Sequence, residues 1–160
     1  MGKIESFKEI SADDILFFSD LLGIRCRTIE SDLKQYSHDE TEDLVYMPSM
    51  VVVPENAAEI AKILKYCNVH NIPVTPAGAR TGLSGGALPV HGGVLLSTEK
   101  LNNIIDIDER NHQVITEPGV ITQVLQDAVK EKGLFYPPDP ASRGSCFIGG
   151  NIAENSGGPK

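Results

Sequence analysis

Neither Gly-Lys-Ser nor Gly-Lys-Thr occurs in the 160 residues of this chain, and no Cys-x-x-Cys pair does either. The first absence excludes a Walker-type phosphate loop, which needs its lysine and hydroxyl directly after glycine. The second removes the usual zinc and dithiol signals: Cys26, Cys67 and Cys146 stand far apart and are odd in number, as expected of buried free thiols in a reducing compartment. Positive charge is scarce, with 14 Lys and Arg against 22 Asp and Glu and a net charge of −8. An acidic chain without a basic stripe argues against nucleic acid and against an anionic membrane surface. No apolar run approaches the ~20 residues of a membrane span, and Met1–Ser6 lacks the apolar core of a signal peptide. A cytoplasmic location is the expectation. The four histidines, His38, His70, His91 and His112, are scattered without metal-ligand spacing.

What is plentiful is glycine, and it is clustered. Six of the fifteen glycines lie between Pro76 and Gly93, and five more between Gly144 and Gly158. The first run cannot be helical, because glycine loses backbone entropy and proline lacks a donor. It hangs between two apolar β-branched stretches, Ile72–Thr75 and Val94–Ser97. Successive glycine N–H groups can converge on one point and make a concave anion site. Eighteen residues is long for an idle connection inside a compact domain. A Rossmann fingerprint is excluded, since Gly78, Gly82, Gly85 and Gly86 have the wrong spacing and Leu88-Pro89 leads toward a strand. The run therefore reads as a helix-free phosphate nest, with the Thr81 and Ser84 hydroxyls as further donors.

The remaining pattern supplies a frame for that loop. Ser11 with Asp14 forms a capping box ahead of Ile15, Phe18 and Leu22, and Gly23 ends the helix. Residues 30 to 43 are densely acidic without the spacing of a calcium loop, and read as a solvated connection. Val51-Val52-Val53 predicts a strand covered on both faces. Asn56 with Glu59 opens a helix whose stripe is Ile60, Ile63, Leu64 and Cys67, followed by a strand at Ile72–Thr75. The unit is a parallel strand–helix–strand, with the glycine loop leaving from the carboxyl end of its second strand. Residues 104–108 and 113–117 predict a hairpin. A helix over Thr122–Lys132 then turns Val124, Leu125, Ala128 and Val129 inward and stops at Gly133. The class is α+β, a parallel unit first and an antiparallel region after it.

Several motifs recur in order: Pro76-x-Gly78-x-x-Thr81-Gly82-Leu83-Ser84-Gly85-Gly86, Glu117-Pro118-Gly119-Val120, Pro138-Asp139-Pro140, and Ile148-Gly149-Gly150-Asn151-Ile152-Ala153-Glu154-Asn155-x-Gly157-Gly158. Together they resemble the FAD-binding domain of the vanillyl-alcohol oxidase (PCMH-type) flavoproteins, most closely the branch of the glycolate oxidases and D-lactate dehydrogenases. The resemblance covers residues 36 to 160. It implies that the backbone from Gly78 through Ala79, Arg80, Thr81, Gly82, Leu83, Ser84 and Gly85 to Gly86, with Pro76 ahead of it, holds the diphosphate of non-covalent FAD. Pro118, Gly119 and Val120 would follow the adenosine part. Pro138, Asp139 and Ser142 would approach the diphosphate and flavin side, and Gly149, Gly150, Asn151, Ala153 and Asn155 would pack close to the cofactor.

The same resemblance implies a parent oxidoreductase in which a D-2-hydroxy acid, such as glycolate or D-lactate, passes a hydride to flavin N5. No catalytic residue and no metal ligand is assigned within the chain. It is expected to be an amino-terminal piece, with a helical leader and acidic loop over residues 1–45 and an incomplete FAD-binding domain over 46–160. Such a piece is expected to bind FAD weakly or not at all, to show no turnover, and to self-associate through a sheet edge. Three positions depart from the family pattern: Arg80 stands for a small residue, Phe147 for a threonine, and Ala87 for the histidine of covalently flavinylated relatives. Two other readings compete: a non-catalytic module that has lost FAD, and a reductase on the same fold that reduces an enolpyruvyl sugar with NADPH.

Overall fold

Ser11 and Asn56 each place a side-chain oxygen ahead of a helix, and both helices begin where those caps require. The computed structural model describes residues 7–159, so the Met1–Ser6 reading and Lys160 lie outside it. In order come α1 (Ala12–Leu22), β1 (Cys26–Arg27), α2 (Glu30–Lys34), β2 (Met50–Val52), α3 (Ala57–His70), β3 (Val74–Ala77), β4 (Val94–Ser97), β5 (Ile104–Asp108), β6 (Gln113–Thr116), α4 (Thr122–Glu131) and α5 (Ile148–Ala153).

The main sheet has the order β1-β2-β4-β3. β2, β4 and β3 are parallel and β1 is antiparallel to β2. The parallel unit is present, but its two strands are not neighbours. β4, which follows the glycine loop, slides between them in register Met50 with Val94 and Val74 with Val94. Pro76 sits within β3, which is tolerable because β3 is an edge strand and can forgo an N–H on its outer side.

The sheet is buried from both sides, as the valine run predicts. Met50, Val52, Val94 and Leu96 face α1 and α3, packing on Phe18, Leu22, Ile63 and Cys67. Val51, Val53 and Leu95 face the other way, onto Leu33 and Tyr36 around α2. Each fully buried Val, Leu or Phe contributes about 2 kcal/mol by leaving water. Leu64, expected in the α3 stripe, is instead 46 % exposed; a 3.6-residue period locates a stripe but not its edge. Val124 on α4 misses its core in the same way.

Two carboxylates fasten α3, one to α1 and one to the segment leading into β1. Asp14, fully buried, caps α1 and also accepts from Lys8 Nζ (2.7 Å) and from Tyr66 Oη on α3 (2.9 Å). Burial alone would raise its pKa, but the bonds from Lys8, Ser11 and Tyr66 outweigh it and hold the carboxyl well below the usual range. Glu59 takes both arms of Arg25, at 2.6 and 2.8 Å, and these bonds lower its pKa to about 2.

β5 and β6 form the predicted hairpin as a separate two-stranded sheet. With α4 and α5 it encloses a smaller core of Val120, Leu125, Val129 and Ile148. α5 was not foreseen: its glycines disguise six helical residues whose Ile148 is buried. The acidic stretch also departs from a solvated loop, since α2 forms within it and Ser37 and Asp39 are buried.

Candidate functional site

β3 delivers the chain into the glycine loop at its carboxyl end, and the second glycine segment arrives on α5. Gly149 is glycine because Pro118 lies where its Cβ would stand, 2.6 Å from the Pro118 Cβ. That close approach is pinned by the Gly149 N–H to the Pro118 carbonyl (2.9 Å) and the Ile148 N–H to the Val120 carbonyl (2.9 Å). One side-chain bond then joins the two segments directly: Ser84 Oγ donates to Glu154 Oε2 at 2.8 Å, and the same carboxylate lies against Gly86.

Between the segments runs a cleft of about 330 Å³. Of the predicted positions, Pro76, Gly78, Ala79, Arg80, Thr81, Gly82, Ser84 and Gly86 line one wall, and Pro118, Ser142, Gly149, Gly150, Asn151 and Ala153 the other. The rest lie outside it. Leu83 is 77 % exposed, and Val120 belongs to the small core. Gly119 packs on the Thr98 backbone, Asp139 pairs with Arg143, and the Pro138 carbonyl accepts from Gln126 Nε2. Gly85 and Asn155 adopt left-handed backbone beside the cleft rather than lining it. Sequence reasoning missed Asp39, Thr98, Cys146, Glu154 and Ser156 as wall residues.

The loop has the properties of an anion cradle. Among the described residues, no backbone N–H from Arg80 to Gly86 donates to a carbonyl or to a side chain. Gly82 on one wall and Gly150 on the other have no heavy atom within 4 Å of where a Cβ would be. Free donors facing open space fit a polyanion held by close backbone approach. Asn151 is largely committed internally, donating to Thr122 Oγ1.

Arg80, standing where a small residue is common, commits its side chain to an aromatic ring. Its φ is +56°, and its guanidinium lies over the Tyr36 ring, 4.3 Å from the centroid. Tyr36 is itself fixed, accepting from Arg27 at 2.6 Å and donating to Glu99 at 3.0 Å. Burial and the Glu99 carboxylate hold its phenol above the usual pKa, against the pull of Arg27 and Arg80. The cation thus fastens the loop's first turn to the sheet layer. Phe147 sets its ring beside Gly78, 3.7 Å from the Cβ position there. His91 faces Phe7 at 5.1 Å between ring centroids and takes no part in the cleft.

A larger hollow of about 570 Å³ lies between α1 and α3, lined by Phe17, Leu21, Tyr66 and Val69. It holds no glycine nest and lies on the far side of the sheet from α2.

Comparison with known proteins decides the family. The profile of the FAD binding domain family matches residues 48–160. The chain belongs to that family. It is 48 % identical over 123 residues to the glycolate oxidase subunit GlcD of Bacillus subtilis (strain 168), covering 77 % of this chain and 26 % of the relative. It is 37 % identical over 158 residues to the D-lactate dehydrogenase of Anaerostipes hadrus, covering 97 % of this chain and 30 % of the relative. The chain thus spans less than a third of the length of these curated relatives. Its fold is that of a solved alkyldihydroxyacetonephosphate synthase, with a TM-score of 0.79 at 15 % identity over 94 % of this chain and 30 % of that one.

Proposed function

We propose that these residues are the diphosphate-holding part of a flavoenzyme that oxidises a D-2-hydroxy acid of the glycolate or D-lactate type. The observation that carries the reading is a cleft shared by two glycine segments, lined by Arg80, Thr81, Gly82, Ser84 and Gly86, whose backbone N–H groups donate to nothing among the described residues. Bound FAD would supply the parent with a two-electron oxidant able to take a hydride from the substrate. The names of the relatives support the hydroxy-acid class over an NADPH-dependent reductase.

The residues of this chain do the binding and not the chemistry. The N–H groups of Arg80, Thr81, Gly82, Ser84 and Gly86 and the Thr81 hydroxyl hold the diphosphate, while Ser84 keeps its hydroxyl on Glu154 and Gly82 and Gly150 keep side chains out of the way. Phe147, standing where a hydroxyl is common, supplies an apolar wall beside Gly78. Non-covalent binding is supported by the cleft lining: among the described residues no histidine or tyrosine stands there, and Cys146 is turned to the Thr122 hydroxyl at 3.3 Å. The three free thiols support a cytoplasmic setting.

The chain spans less than a third of its relatives' length, and by itself it is expected to bind FAD weakly and to turn nothing over. The test is a titration with millimolar FAD followed by backbone amide NMR shifts, beside gel filtration and dye-linked assays with glycolate and D-lactate. Shifts confined to Arg80–Gly86 and the α5 segment are expected, with a colourless protein after filtration. Unmoved amides at saturating FAD overturn the site. A stoichiometrically yellow protein overturns the claim of weak binding.

A further inference from the structure

Asp39 is the one buried carboxylate in the cleft wall, 7 % exposed. Its Oδ1 accepts the Thr41 N–H at 2.9 Å, which closes a local turn. Its Oδ2 has no hydrogen-bond partner among the described residues, and neither does the neighbouring Thr41 Oγ1. Buried carboxylate oxygens are almost always satisfied, because leaving one bare forfeits its hydration without return. The segment is not loosely placed. Glu40 N–H donates to the Gly82 carbonyl at 3.1 Å, so Asp39 is fastened to the glycine loop at its most open residue.

We propose that Asp39 recognises a sugar hydroxyl of the dinucleotide, its Oδ2 accepting the hydroxyl proton when the ligand is seated. This rests on the FAD reading above and adds a residue to it. The elimination is chemical. An ionised carboxylate only accepts, and a diphosphate also only accepts and carries like charge, so Asp39 cannot face the phosphates. Its partner has to be a donor of the ligand, and those beside the diphosphate are hydroxyls, on the ribose of the adenosine half or on the ribityl chain of the flavin half, whereas the N–H donors sit at the far ends of the two rings. An O–H···O⁻ bond of this kind is short and stronger than a neutral one. The orphaned oxygen is thereby matched by the ligand and not by the chain.

The test uses the two halves of the ligand separately. Wild type, Asp39→Asn and Asp39→Ala are titrated with ADP, with FMN and with inorganic pyrophosphate, reading amide shifts, and each unliganded protein is melted. Asparagine keeps an acceptor for Thr41 N–H and puts a donor where Oδ2 was. Asp39→Asn should therefore leave the melting temperature unchanged or raised and weaken either ADP or FMN about tenfold or more. Loss for ADP alone assigns the ribose, and loss for FMN alone the ribityl chain. Pyrophosphate, which has the charge and no hydroxyl, should bind Asp39→Asn no more weakly than wild type. Equal affinity of wild type and Asp39→Asn for both halves overturns the proposal. So does a fall in melting temperature shared by both variants with affinities intact, which makes Asp39 a turn residue only. If no probe shifts any wild-type amide, the FAD reading itself fails, a result distinct from the other two.

Discussion

Gly82 lies in the cleft and Gly119 just behind its opposite wall, and the two are glycine for opposite reasons. Beside Gly82 there is open space; beside Gly119 the carbonyl oxygens of Thr98 and Leu101 already occupy the place of a side chain. The division is general. Gly82 and Gly150 leave room that the protein does not use, whereas Gly149 and Gly158 are pressed onto the backbone of Pro118 and Asp139. Glycine composition alone points to a binding loop; only the neighbours tell which glycines a ligand approaches and which hold the walls together.

The largest effect that bears on this contrast comes from acid, because the glycine loop leaves from β3 of the sheet that α1 and α3 cover. Asp14 and Glu59 have depressed values in the folded chain, so the unfolded chain takes up protons first as pH falls. Their stabilisation is complete above about pH 5 and is lost progressively toward and below about pH 2. Glu59 alone, moved from 4.5 to about 2, accounts for roughly 3 kcal/mol. Urea unfolding at about pH 6 and about pH 2.5 should show the loss, with Glu59→Gln removing most of the Glu59 share at the higher pH. A flat profile would mean the cleft walls stand without these bonds.

Next in size is Gly119→Ala, expected to lower unfolding free energy by about 3 kcal/mol, since rigid backbone cannot yield to a new methyl. Denaturant unfolding measures it, and an unchanged midpoint would erase the distinction between the two kinds of glycine. Gly82→Ala should do the reverse. Its stability should hold or rise by about 0.5 kcal/mol through the unfolded state, while FAD-induced amide shifts weaken about tenfold as the methyl enters the cradle. A variant that binds like wild type would show the space at Gly82 to be idle.

Local chemistry is what the sequence expressed well. Ser11 with Asp14 and Asn56 with Glu59 announce helix starts because a cap and its target lie three residues apart. The glycine loop was legible as a phosphate nest for the same reason, while FAD itself came from the resemblance of several ordered motifs to a known family. The placement of β4 between β2 and β3 was not, since pairing of Val94 with Met50 and Val74 leaves no trace in either neighbourhood. Asp39 looked like one more acid in an acidic stretch, and its burial depends on a loop that lies far along the chain. Likewise Arg80 on Tyr36 joins two segments that no spacing rule connects. α5 stayed hidden because glycine hardly ever argues for helix.

The strand order has a consequence for how the chain acquires its site. β2 and β3 both lie beside β4 and never beside each other. During synthesis residues 50–77 therefore emerge with a vacant lane between their strands, open until Val94–Ser97 arrive. The glycine loop is the tether that carries that last strand home. Its length is then set by two demands at once, reaching back across the sheet and leaving slack for a ligand.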